Sequence, residues 1–259
     1  MRAWWLIAVA SCTSARAPVI ANVSEPKPAS VILLATDGFA APIACTGAPK
    51  LEGGEACAKQ LPAQPQLRSA AGTSVTTFGW NPDRRTCPWE AEPIATRGLL
   101  QLCNEADEEC ALPEQLLVWP PTSTASIGTL APIDPTDPRL ASDVAVVAKH
   151  EAGPLQVAQA FAIDLNGDGE LDRIVLIRRP RPKPHPTDLA DPQWTVVALA
   201  HGEAHVLADA ACSGSGHELV GVIDLDGTRA VVMKFQYQIV IYKLDGTILV
   251  EGPGCCGLG

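Results

Sequence analysis

Ala162-Ile163-Asp164-Leu165-Asn166-Gly167-Asp168-Gly169-Glu170-Leu171-Asp172-Arg173-Ile174-Val175-Leu176 places a polar, oxygen-rich loop between two apolar runs. Asp164, Asn166 and Asp168 alternate, and Asp172 follows four residues on. Gly169 stands where a chain wrapping an ion must turn sharply and a Cβ would obstruct it. Clustered carboxylates repel one another in a bare loop, so a hard cation such as Ca²⁺ is the natural counter-charge. A polar Asx-type turn with no ion is the competing reading, since Asp, Asn and Gly are also the usual turn residues. The apolar flanks predict that the loop joins two strands.

Outward from this loop the C-terminal part reads as a series of strands. They are expected at Gln156–Ile163, Arg173–Arg178, Trp194–Ala200, Leu219–Ile223, Ala230–Gln236, Ile239–Lys243 and Ile248–Val250, with a further one at Val144–Ala148. Leu244-Asp245-Gly246-Thr247 has the chemistry of a hairpin turn, because Asp-Gly tolerates positive φ. Arg178 to Pro186 carries alternate prolines that cannot donate to a ladder, so it is expected as an exposed basic loop. With 21 Gly, 23 Pro and few aromatics in 259 residues, short strands and many turns suit the chain better than a helical bundle. The expected fold class is mainly β.

Residues 161–177 resemble the FG-GAP/VCBS repeat family, whose units carry a D-x-N-x-D-G-x-x-D calcium loop between two strands of a propeller blade. A worn second copy is visible at Gly221-Val222-Ile223-Asp224-Leu225-Asp226-Gly227-Thr228-Arg229-Ala230, with Asp224 in the place of Asp164 and Asp226 in that of Asn166. It lacks the third and last acidic positions, so it is not expected to bind an ion. The resemblance implies a β-rich domain of propeller-blade-like repeats over 144–259. It also implies calcium held by the side chains of Asp164, Asn166, Asp168 and Asp172 and by the Glu170 carbonyl. Val175 stands where an EF-hand would place its bidentate glutamate. Affinity is therefore expected to be weak, roughly 10⁻⁴–10⁻³ M, and the role of the ion structural.

The rest of the chain divides by composition. Arg2 followed by the apolar Ala3–Ala10 resembles an export signal, expected over 1–11, and Val9-Ala10-Ser11-Cys12 resembles a bacterial lipobox with Cys12 as the lipidated residue. The alternative is an ordinary signal cut after Ala15-Arg16-Ala17, which would make the protein secreted. Residues 12–30 read as a tether, with Asn22-Val23-Ser24 a chance glycosylation sequon. Residues 31–119 read as a loop-rich, cysteine-rich region beginning with a buried strand at Val31–Ala35, and Glu105–Val118 as helical in part. Residues 120–143 read as a linker or a long connection. Nine cysteines are odd for an exported protein. With Cys12 lipidated, Cys45, Cys57, Cys87, Cys103, Cys110, Cys212, Cys255 and Cys256 are left as disulfide candidates, Cys45–Cys57 and Cys103–Cys110 being plausible local bridges. Free, buried thiols are the alternative.

Catalytic motifs are weak. His201, His205 and His217 do not have the helical H-E-x-x-H arrangement, Ser213-Gly214-Ser215-Gly216 is no nucleophile elbow, and no phosphate-cradling Gly loop is present. Trp80, Trp89, Trp119 and Trp194 read as partly buried core in preference to a glycan or protein site. The net charge of −10 argues against nucleic acid as a partner. The expectation is a non-catalytic binding or adhesion module of the bacterial cell envelope, lipid-anchored at the outer membrane or periplasmic face, with an unknown protein or glycan partner. Two others stand beside it: an envelope hydrolase using Asp37, Asp83 or Glu90, and a passive structural lipoprotein.

Overall fold

Val31, Leu33 and Ala35 face one core and Ile32 and Leu34 another, and all five are buried. A strand apolar at every position has no solvent side and belongs inside a stack of layers. That is the architecture of the computed structural model, which describes residues 29–46, 51–83, 98–103, 113–148, 155–179, 193–200, 203–209, 217–235 and 238–251.

The first sheet begins with β1 (Val31–Thr36), which turns through Asp37-Gly38 into β2 (Phe39–Thr46). Both turn residues have positive φ, 49° and 80°, the geometry that matches strand twist in a tight hairpin. Then follow β3 (Leu51–Glu52), α1 (Gly54–Ala58), β4 (Leu67–Ser69), β5 (Ser74–Val75), β6 (Gly79–Asn81), β7 (Leu99–Gln101) and β8 (Gln115–Trp119). The strands pair antiparallel in the order β5-β4-β8-β1-β2-β7-β6, with β3 also beside β2. The region expected to be loop-rich thus carries the largest sheet. Five of its eight strands have only two or three residues, too few to show a period in the sequence. Gln115–Val118 of the expected helix lie in β8, whose side chains alternate between the two cores flanking the first sheet.

The remaining elements are β9 (Ser126–Gly128), β10 (Ala131–Ile133), α2 (Leu140–Ala148), β11 (Gln156–Ile163), β12 (Asp172–Arg179), β13 (Gln193–Ala200), β14 (Glu203–Asp209), β15 (His217–Leu225), β16 (Thr228–Phe235), β17 (Gln238–Tyr242) and β18 (Ile248–Glu251). They build two five-stranded antiparallel sheets of the same design, β9-β15-β16-β17-β18 in the middle and β10-β11-β12-β13-β14 outside it. The stretch 120–143, expected as a linker or a long connection, supplies an edge strand to each sheet and starts α2. Val144–Ala148, expected as a strand, is the end of that helix.

Besides the core on the outer face of the first sheet, three apolar layers hold the stack together. Ile32, Leu34, Leu116 and Val118 of the first sheet meet Ile223, Leu225, Ala230, Val232 and Ile241 of the middle sheet. Val222, Val231, Met233, Val240 and Tyr242, on the opposite face, meet Ile163, Ile174, Leu176, Val196 and Ala198 of the outer sheet. The far side of the outer sheet, with Val175, Ile177, Val197 and Leu199, is covered by Leu140 and Val144 of α2. A register shift between Leu219 and Gly221 lets Leu219 and Val222 share a face despite their odd spacing. At Gly221 a Cβ would lie 2.8 Å from Leu116 Cδ1, so glycine there lets the first sheet approach closely.

Cys45 and Cys57 form a disulfide between β2 and α1, as the local spacing suggested. Cys103 is also disulfide-bonded. Cys12, Cys87, Cys110, Cys212, Cys255 and Cys256 lie outside the described residues, as do the signal, the tether and the proline-rich loop after Arg179.

Candidate metal centre

The loop 164–171 closes the β11–β12 hairpin, whose last pair is Ile163 with Asp172. Leu165, fully buried in the core between the middle and outer sheets, pins the start of the loop. Its amide donates to Asp172 Oδ2 at 3.1 Å, and Asp172 is itself buried, so the two ends of the loop are tied together. Between them each oxygen-bearing side chain caps backbone ahead of it. Asp164 accepts from the Gly167 and Gly169 amides, Asn166 Oδ1 from the Asp168 amide at 3.0 Å, and Asp168 Oδ1 from the Glu170 amide at 2.8 Å. Gly167 and Gly169 have φ of 86° and 87°, conformations that a side chain would strain. Glu170 and Leu171 are exposed at the tip.

The β15–β16 hairpin repeats part of this chemistry on a shorter scaffold. The β15–β16 hairpin turns through Asp226-Gly227, and Asp224 Oδ1 accepts from the Gly227 amide at 2.8 Å, as Asp164 accepts from that of Gly167. The two aspartates therefore occupy equivalent places at the mouths of hairpins in adjacent sheets. Arg229 joins them: Nη1 donates to the Asp164 carbonyl at 3.0 Å and to its Oδ1 at 3.2 Å, and Nε to Asp224 Oδ2 at 3.3 Å. Burial pushes the Asp164 carboxyl up, but the Gly167 and Gly169 amides and the Arg229 charge outweigh it and hold the group below its ordinary value. Ser126, Gly128, Thr129, Leu171 and Val222 line a cleft of about 280 Å³ beside these three residues. Thr124 reaches the same end of the stack, its hydroxyl donating to Asp226 Oδ1 at 3.2 Å.

As a calcium site the loop fits in backbone and in donor type. Oxygens occupy the first, third, fifth and ninth positions, and a left-handed glycine occupies the sixth. Its carboxylates are turned onto loop amides and Arg229, and among the described residues no three His, Cys, Asp or Glu side chains are grouped to hold an ion. Arg229 lies in the stretch that resembles a second copy, but its span to Asp164 depends on how the two sheets pack, which linear spacing does not record.

The other candidates fall apart in space or into structural roles. Asp37 occupies a hairpin turn, Asp83 is exposed after β6, and Glu90 lies outside the described residues. His205 is in β14 and stands 3.8 Å from Glu203. His201 and the Ser213–Gly216 segment lie outside the described residues, and so does the side chain of His217. Trp80 and Trp119 pack against the core on the outer face of the first sheet, Trp80 donating to the Pro62 carbonyl at 3.1 Å. Trp89 and the side chain of Trp194 lie outside the description. No protein-family model matches the chain, and neither does any curated protein or solved structure.

Proposed function

We propose that this protein is an exported, lipid-anchored module of the cell envelope that binds a protein or glycan partner without catalysis, and that calcium stiffens its binding end. The observation that carries the reading is the gathering of loops at one end of a rigid β-stack. Asp164, Asp224 and Arg229 from two sheets meet there, with Thr124 and Asp226 beside them. Loops positioned by a packed scaffold are the usual place for recognition. Asp164, Asn166, Asp168 and Asp172, with the Glu170 carbonyl, would hold the ion. Bound calcium would supply counter-charge to a loop whose exposed tip ends in Leu171, 69% exposed. Cys12, in its lipobox-like setting, supports the anchor.

Binding of the full-length Cys12→Ala chain, which lacks the lipid, to isolated envelopes in millimolar calcium and again with excess EGTA tests this. Retention that needs calcium and is lost on adding Asp168→Ala is the expected result, and partitioning into membranes through the lipid is expected of wild type and not of Cys12→Ala. Retention indifferent to both EGTA and Asp168→Ala would overturn the role of the loop. Absence of retention under every condition would overturn the binding reading.

A further inference from the structure

Arg229 belongs to the second hairpin, yet two of its three described hydrogen bonds go to Asp164 of the first. Resting on the calcium reading above, we propose that Arg229 is the resident counter-cation of the loop and competes with calcium for Asp164, so that calcium entry releases the guanidinium and uncouples the two hairpins.

The space for Arg229 is built in. A Cβ on Gly167 would lie 2.8 Å from Nη2 and 2.9 Å from Cζ, so the missing side chain is what lets the guanidinium lie against the loop. Asp164 holds the first ligand position, where a calcium–oxygen bond would be about 2.3–2.6 Å long. A divalent ion at that distance and a guanidinium 3.2 Å from the same oxygen would put like charges side by side, although both side chains keep about 30% exposure. Each therefore weakens the other's hold on Asp164. Asp224 offers Arg229 a second carboxylate to withdraw to, and the adjoining cleft offers it room. The second copy has lost its own ion-binding positions but has kept an aspartate for the arginine that serves the first.

Calorimetric titration of the full chain with calcium chloride separates the possibilities, using wild type, Arg229→Gln and Asp224→Asn. Removing the competitor should tighten calcium binding about two- to fivefold, the scale of one partly exposed ion pair. Asp224→Asn should act in the opposite direction, because the guanidinium then has only Asp164 to pair with. A merely structural role would lower the unfolding midpoint in both variants without opposite shifts in affinity. Arg139→Gln removes a positive charge from the ion pair with Asp137 and should leave calcium binding unchanged, which excludes a general charge effect. Arg229→Lys, keeping the charge without the fork, should fall between wild type and Arg229→Gln and covers the case of a misfolded glutamine variant. Equal calcium affinity in wild type and Arg229→Gln would overturn the competition and leave the calcium site standing. No binding in any variant would overturn both.

Discussion

Tyr242 and Asp137 contribute to the stability of this fold at opposite ends of the pH range. Burial between the middle and outer sheets, with a smaller contribution from the Glu251 charge, pushes the Tyr242 phenol up to about 12 from 10.0. The folded state therefore keeps a proton that the unfolded chain loses first. This stabilisation is complete below pH 10.0 and disappears as pH rises towards about 12. Asp137 is the reverse case, held down to about 2 from 3.8 by hydrogen bonds from the Arg139 side chain and amide. Its contribution is present above 3.8 and is lost as pH falls towards about 2. Asp134, Asp164 and Asp245 are lowered too and add to the acid side. Urea midpoints measured across pH should fall at both extremes, and Tyr242→Phe should flatten the alkaline fall while leaving the acid one. An unchanged alkaline fall in that variant would assign it to other groups. At this scale the sequence was readable where chemistry is local: the Asp and Gly positions of the loop take the turn roles their types imply. Arg229 was not readable in the same way, because its partner Asp164 is 65 residues away.

α2 shows what decides an element when its sequence is ambiguous. Val144–Ala148 is apolar and β-branched enough to predict a strand, and a run that short does not distinguish strand from helix. The start signal lies upstream. Asp137 accepts from the Arg139 amide at 2.9 Å, Pro138 follows it, and Leu140 opens the helix. What docks α2 is Asp143, 4% exposed in its side chain, which receives Arg173 Nε and Nη2 of β12 at 2.7 and 2.9 Å. Asp143→Ala strips Arg173 of its partner beneath the helix and should cost about 1–3 kcal/mol, below the full value of a buried pair because Arg173 retains solvent. Amide exchange should then rise across 140–148 and little elsewhere. Uniform acceleration over all three sheets would mean that the pair supports the whole fold and not α2 alone. Hairpins were the most legible elements: β11, the Asp245-Gly246 turn and the strands around it lie where period and turn chemistry put them.

Across the whole molecule the two halves share a core instead of meeting through a linker. Ile32 and Leu116 come from before residues 120–143, Ile223 and Val232 from after, and all are buried in one layer. Ile32→Ala and Ile223→Ala should each cost about 2–5 kcal/mol. Each should move a single calorimetric transition of the whole chain. Two transitions, with each substitution moving only one, would restore the independent regions that composition suggested. Composition left linker and long connection both open, because proline and serine mark a change in chain path as readily as a domain boundary. In this chain the path runs along sheet edges. Arg68 of β4 holds it there, donating to the carbonyls of Pro121, Ser123 and Ala125 at 2.9, 3.2 and 2.9 Å. The mainly β class was legible from the strand pattern. The order of the sheets was not, since apolar runs buried on both faces do not say which layer lies on which side.

β9 and β10 are separated by Thr129 and Leu130 alone, yet β9 joins the middle sheet and β10 the outer one. This short stitch imposes a timetable on synthesis. Pro132 finds Phe161 soon after it is made, but Ile127 pairs with Ile223 and must wait until most of the chain has been translated. A nascent chain halted before β15 has an outer sheet with no layer beneath it, and its buried face is open to water and to other chains. The seam between the sheets closes late, so the C-terminal hairpins decide when the earlier part of the protein becomes safe from aggregation.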